Sequence, residues 1–484
     1  MSVSDVIGRA ITSQTSRIKG TSIKAKSARA AMALAAGAVI ERCLRFVRYV
    51  ILARILVPDQ FGLMALVMVA SSAFEALTEV GVKQSVIQSK RGADPEFLNV
   101  AWWFQAVRGV GLFLIGYLAA PWISSFYEKP ELLWLLRVAF LAVLFRGLIS
   151  PRAHVLEKQY RFGLVVFLIQ GSGILGAVIA IVLAFIMRSV WALVIGFVSE
   201  FAIMFIFSYV FVPFLPRFRM ERECLSEMMD FARGMLGVAI LAMMAFEIDV
   251  LVLGKVVSGE QLGMYYLAMT VVLLPITLFG RVITPVLLPA FSEKQDDREA
   301  LGRVLLWVTR STAIFTLPLV AFIASCAGGV LAVVYGSEYA AVTVPFAVLC
   351  LLIVFRTQAP IFNSVYLAVG QPRLNRRFVI LRAAIIVGLI YPAVVHFGLL
   401  GAAVVAVLGN GIALLMQAFW SGRIVDLPFR AYARCYVPGL ALALPVLAMN
   451  LLRFSGLESP FVTLGLNTAV FCGSLVAGVF LLAK

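Results

Sequence analysis

Residues 48–66 read RYVILARILVPDQFGLMAL, and residues 249–267 read DVLVLGKVVSGEQLGMYYL. Each is an apolar run that ends near a basic residue, a short polar turn, and a second apolar run. One offset aligns them: Arg54 answers to Lys255, Asp59 to Glu260, Gln60 to Gln261, Phe61 to Leu262 and Gly62 to Gly263, all 201 positions apart. A constant offset across a turn marks an internal repeat, here a helix end, a tight turn and a new helix in each half of the chain. The repeat predicts two related halves with a transport pathway between them.

Composition fixes the surroundings. Of 484 residues 62% are hydrophobic and 14% charged, with a mean hydropathy of +0.99, which no water-facing surface tolerates. Crossing a bilayer takes roughly 20 apolar residues per helix. Fourteen such spans are expected, at about 31–56, 61–82, 98–125, 132–151, 162–187, 190–215, 231–254, 262–290, 304–334, 341–369, 378–395, 400–421, 435–452 and 461–483. The apolar blocks are unbroken, which excludes a transmembrane barrel, whose strands alternate polar and apolar residues. The expected divisions are a basic arm at 1–30, a first half at 31–215, a linker at 216–230, a second half at 231–424 and two last spans within 425–484. The first apolar run is too long for a cleaved leader, so the N-terminus is expected to be retained.

Lys and Arg alternate in density from connection to connection. They crowd the N-terminal arm (Arg9, Arg17, Lys19, Lys24, Lys26, Arg29) and every second connection after it, whereas the other side holds only Lys129, Arg188, Lys255 and Arg453. That asymmetry is expected to place both termini in the cytoplasm. The arm is suited to lie on anionic lipid. The net charge of +16 is therefore mostly a topology signal. Spread over separate segments, it excludes a nucleic-acid partner, which needs its basic residues on one folded surface.

No GxxxxGK[ST] occurs, and no connection is long enough for a soluble catalytic domain. Gly171, Gly173 and Gly176 spell GxGxxG inside an apolar span with no strand before it. There the glycines predict close helix approach rather than dinucleotide binding. Six scattered cysteines and the isolated His154 and His396 offer neither a disulfide framework nor a metal-ligand cluster. No cofactor, metal or enzymatic activity is expected.

Charges within the spans carry the functional signal. Arg42, Arg45 and Arg48 sit in the middle of the first span, and their spacing of three turns each by only about 60° from the last, which keeps them on one face. Facing lipid, each would cost roughly 2.5–3.5 kcal/mol on an insertion scale, so they must face water or acids. Glu41, four residues before Arg45, is one candidate partner. Glu75, Glu79, Glu247 and Asp249 are candidates for ion coupling or for pairing between the halves, and Arg281 and Arg310 add cations in the second half. Arginines within spans outnumber the acids there, which are these four with Glu41 and Glu200. An excess of embedded positive charge favours an anionic guest.

The segments ARILVPDQFGLMAL (53–66), LTEVGVKQSVIQ (77–88), FYEKPELLWLLRV (126–138), IDVLVLGKVVSGEQLGMYYLA (248–268) and LAVGQPRLNRR (367–377) resemble the polysaccharide (Wzx-type) flippases of the multidrug/oligosaccharidyl-lipid/polysaccharide exporter superfamily. The likeness runs from about residue 35 to 425. It implies an all-α membrane protein of about 14 transmembrane helices, two pseudo-symmetric six-helix lobes around a central cavity plus two C-terminal helices. It also implies movement of an undecaprenyl-pyrophosphate-linked oligosaccharide between leaflets, with polysaccharide polymerase and chain-length machinery as partners. The pyrophosphate is the anion that Arg42, Arg45, Arg48, Arg281 and Arg310 would hold. A lipid II flippase and a cation-coupled multidrug exporter are the alternatives within the superfamily. The excess of arginine disfavours the exporter, whose cargo is usually cationic. A membrane-embedded polymerase or ligase is disfavoured because no outer connection is long enough for its catalytic loop.

Overall fold

The computed structural model describes residues 23–77, 81–159, 161–217, 221–235, 247–452 and 460–483, and among them it is helical, with no strand. Contacts gather the chain into two compact units, Ser16–Gly263 and Met264–Lys484.

The first unit begins with α1 (Ile23–Ala53), α2 (Pro58–Leu77), the short α3 (Val82–Gln88) and α4 (Pro95–Tyr127). It continues through α5 (Leu132–Gly147), α6 (Arg152–Lys158), α7 (Phe162–Met187), α8 (Val190–Phe211), α9 (Arg222–Met235) and α10 (Ile248–Val256). Pro58 and Pro95 open helices at the position where a missing amide donor does no harm. The main packings are α7 on α8, α4 on α5, α5 on α8 and α1 on α7. α5 and α6 are bent by 58° at Ser150 and Pro151, where a proline denies the helix its next amide.

The second unit takes α11 (Gly259–Ser292) from residue 264 onward, then α12 (Arg298–Ser325) and α13 (Ala327–Val334). A 3-10 turn (Ser337–Val342) leads to α14 (Thr343–Leu349), α15 (Leu351–Ala368), α16 (Pro372–Ile424), α17 (Phe429–Leu452) and α18 (Pro460–Ala483). Here α12 packs on α15 and α17, and α15 on α16. Leu305, Phe362, Tyr366, Phe378 and Tyr432 belong to one apolar cluster in it. The 53 residues of α16 would reach about 80 Å at 1.5 Å per residue, far more than a bilayer core. Gly398, at φ 55° and ψ −135°, breaks the run into two helices.

Among the described residues nine helices are long and apolar enough to cross a membrane, ten when α5 and α6 count as one bent span. α1, which carries Glu41, Arg42, Arg45 and Arg48, and α2, the helices at the expected first and second spans, are not among them; α16 counts once although Gly398 divides it, and residues 236–246, expected inside the seventh span, lie outside the described residues. The expected linker at 216–230 contains structure of its own. From Arg222 it is the amphipathic α9, which buries Cys224 and Met228 against Val82, Val86, Phe97 and Val155.

The two repeated turns touch. A β-carbon on Gly62 would fall 2.1 Å from the carbonyl oxygen of Gly259, and one on Gly263 would fall 1.8 Å from that of Pro58. Since 62 pairs with 263 and 58 with 259 at the same offset of 201, the two contacts are copies of each other. Only glycine permits backbones this close.

Candidate functional site

Residues 31–53, AMALAAGAVIERCLRFVRYVILA, are small and apolar around four charges, so α1 presents Arg45 and Arg48 from one face of a continuous rod. That face lies in the packing of α1 on α7, with α8 behind. Arg45 Nε donates to Glu41 Oε1 at 2.7 Å, the helical pair that their spacing predicts. Its Nη2 donates to Glu200 Oε1 on α8 at 2.5 Å. The second oxygen of Glu200 lies 3.9 Å from Arg48 Nη1, within ion-pair range but beyond a hydrogen bond. Gln170 Nε2 on α7 donates to the second oxygen of Glu41 at 3.2 Å.

Glu200 is 6% exposed, and it reaches the arginines because α7 gives way to it. A β-carbon on Gly176 would sit 2.8 Å from Glu200 Cβ and 3.0 Å from its Cα. Of the three glycines in the GxGxxG pattern, Gly176 thus serves helix approach, whereas a β-carbon on Gly171 or Gly173 would meet its nearest neighbour at 3.5 and 3.7 Å, an ordinary contact. Arg48 follows Arg45 by nearly one helical turn. Its guanidinium lies 5.1 Å from the ring centre of Tyr49, and its buried Nε has no hydrogen-bond acceptor among the described residues. Arg42 precedes Arg45 by the same interval and is half-buried.

The other predicted residues are dispersed. Glu75 on α2 binds Arg146 on α5 through its carboxylate, and its carbonyl accepts from Arg108 Nη2 on α4 at 3.2 Å. These three line a cavity of about 350 Å³ within the first unit, together with Gln105, His154 and Glu157. Glu79 lies outside the described residues. Glu247 accepts a hydrogen bond from Ser72 Oγ on α2. Asp249, 6% exposed in the first turn of α10, accepts from the amide of Val250 at 2.9 Å. Arg281 and Arg310 belong to the second unit and are exposed.

Outside the spans the first unit is tied by charges. Arg91 donates to both oxygens of Glu221, at 2.8 and 3.1 Å, just before α9. That hydrogen bond holds the Glu221 carboxyl below the usual carboxylate range. Lys255 binds Glu128 at 2.7 Å, which does the same for Glu128.

Sequence reasoning places Glu200 among the acids within spans but not at the site. The available signal is Gly173 and Gly176, small residues about one turn apart on a helix that must admit a neighbour. Chemically, the arrangement is a pair of guanidiniums on one helix face, bridged by a buried carboxylate inside an apolar bundle.

Several known proteins are similar to this chain. The teichuronic acid biosynthesis protein TuaB of Bacillus subtilis is 23% identical over 62% of this chain and 62% of its own length, so the match spans less than two thirds of that relative. The succinoglycan biosynthesis transport protein ExoT of Rhizobium meliloti is 24% identical over 91% of this chain and 89% of its own length. Among solved structures, the lipid II flippase MurJ in an inward closed conformation shares the fold, with a TM-score of 0.76 at 14% identity, covering 93% of this chain and 98% of that one. Residues 51–344 match the family described as polysaccharide biosynthesis protein, and the chain belongs to that family.

Proposed function

We propose that this protein is a flippase for lipid-linked oligosaccharides, moving undecaprenyl-pyrophosphate-linked repeat units across the bacterial inner membrane by alternating access, for exopolysaccharide, capsule or lipopolysaccharide O-antigen synthesis. A sugar hydroxyl stripped of water in hydrocarbon costs several kcal/mol, so the head group needs a polar path while the lipid tail stays in the bilayer. The observation that carries the reading is the arginine face of α1, where Arg45 and Arg48 converge on one buried carboxylate within the first unit. Two guanidiniums on one anion are suited to a diphosphate. Membership of the polysaccharide biosynthesis family and the likeness to ExoT support the same cargo class.

In this reading fourteen spans form two six-helix lobes around a central cavity, with two further C-terminal helices and both termini in the cytoplasm. Arg42, Arg45 and Arg48 hold the diphosphate, and Arg281 and Arg310 contribute cations from the second half. Glu75, Glu79, Glu247 and Asp249 serve ion coupling or interlobe pairing. Polymerase and chain-length machinery receive the product.

A second reading, lipid II as cargo, is favoured by the shared fold with MurJ. Deleting the gene and measuring the leaflet distribution of lipid-linked sugars separates the two. Oligosaccharide repeat units should accumulate on the inner leaflet while peptidoglycan synthesis continues; accumulation of lipid II instead would assign the second reading, and neither would refute both.

A further inference from the structure

The carboxylate of Glu200 occupies the place that an anionic guest would take. Its two oxygens address two arginines, Oε1 meeting Arg45 Nη2 at 2.5 Å and Oε2 lying 3.9 Å from Arg48 Nη1. Phosphate oxygens bridge guanidiniums in the same way. The bridge is incomplete on the Arg48 side, where the distance exceeds a hydrogen bond and the buried Nε has no acceptor among the described residues. A carboxylate has two oxygens to offer, whereas a diphosphate has more. Arg45 keeps a second acid, Glu41, itself held by Gln170, so it stays oriented when Glu200 lets go. Arg45 is also less enclosed than its partner, with 32% of its side chain exposed against 7% for Glu200.

We infer that Glu200 is an internal stand-in for the cargo diphosphate: it holds Arg45 and Arg48 between transport cycles, yields them to the incoming diphosphate, and reclaims them to drive release. This rests on the proposed diphosphate-binding role of the α1 arginines. Without such a competitor, two embedded arginines would bind a diphosphate tightly and free it slowly, since a charge-assisted pair grows stronger away from water. With it, the arginines are never left without a counter-charge, and binding is an exchange of anions rather than a net burial. Glu200 is therefore a positioning residue that sets affinity and release together.

The test uses the purified full-length protein in nanodiscs, with inorganic pyrophosphate and a short-chain prenyl diphosphate as probes. Glu200→Gln keeps the side chain's shape and removes its charge, so both probes should bind about tenfold more tightly, the equivalent of one additional charge-assisted hydrogen bond. In cells the same variant should show a lower apparent KM and a lower kcat for export per folded molecule, a split that a packing defect does not produce. Glu200→Asp keeps the charge with a shorter reach and should fall between, which leaves the inference testable should the Gln variant not fold. Unchanged or weaker diphosphate binding in both variants would overturn it. Arg45→Ala distinguishes the two levels. Loss of probe binding there, with no tightening in Glu200→Gln, removes the stand-in alone, whereas wild-type binding that is indifferent to Arg45 removes the diphosphate-binding role itself.

Discussion

Arg45 and Glu200, 155 residues apart in the chain, meet at 2.5 Å and join the first helix of the unit to its eighth. Removing one partner of a buried pair leaves the other charge stranded, which typically costs ~3–5 kcal/mol, less here because Arg45 is partly exposed. We expect Arg45→Ala to lower thermal stability in detergent clearly, and Arg45→Lys to lower it less. In Arg45→Ala/Glu200→Ala the loss should be smaller than the sum of the single losses. Strict additivity in that cycle would show that the pair contributes no coupling.

Gly176 is the space in which Glu200 sits. A β-carbon at position 176 would lie 2.8 Å from Glu200 Cβ, so Gly176→Val should force α7 and α8 apart and destabilise the protein by about 1–3 kcal/mol, the usual range for overpacking. Gly163→Ala is the control, since a β-carbon there meets nothing within 4 Å. Equal unfolding temperatures for the two variants would contradict the close approach.

Burial raises the Cys224 thiol to about 11, with the adjacent Glu221 adding to the shift, so it should resist maleimide at neutral pH while α9 stays docked. In a background where Cys224 is the sole cysteine, Arg91→Ala or Glu221→Gln should accelerate labelling several-fold. The pH dependence has a definite sign. Because Arg91 depresses the Glu221 carboxyl, the latch contributes in full above the usual carboxylate range and is lost as pH falls through the depressed value. Limited proteolysis after α8 should accordingly become easier in acid, and an increase only at alkaline pH would point to another tether.

Glu247 offers a test of ion coupling. Glu247→Gln retains a group able to accept from Ser72 while removing the charge, so the protein should remain folded and in the membrane. If Glu247 titrates during transport, export should fall at least about tenfold and lose its dependence on the proton gradient, as expected for removal of a proton-carrying group. Normal export in Glu247→Gln, in Asp249→Asn and in the double variant would take both acids out of the mechanism.

Much of this architecture is legible in the chain because a bilayer imposes one solution. Long apolar runs must become helices, and the pair of Glu41 and Arg45 follows from a spacing of four. What the chain does not declare is long-range. Glu200 binds a helix 155 positions away, and nothing local to GFVSEF says which arginine it will meet. α9 is missed for a different reason. Its polar composition reads as a connection, although Cys224 and Met228, four residues apart, already sketch the buried stripe of an amphipathic helix. Gly398 is hidden among many glycines, since only the backbone reveals that it, with Gly81, Gly336 and Gly370, takes a positive φ.

The reciprocal contact of the two repeated turns bears on leakage. A carrier that offers a polar route for a bulky head group must still hold back protons and small ions between turnovers. Side-chain plugs fluctuate among rotamers, and each alternative rotamer is a momentary gap. Where Gly62 meets Gly259 and Gly263 meets Pro58, main chain lies against main chain, with no rotamer to sample between those two pairs. A contact of this kind does not loosen by a rotamer change, so the two turns part there only when their backbones move.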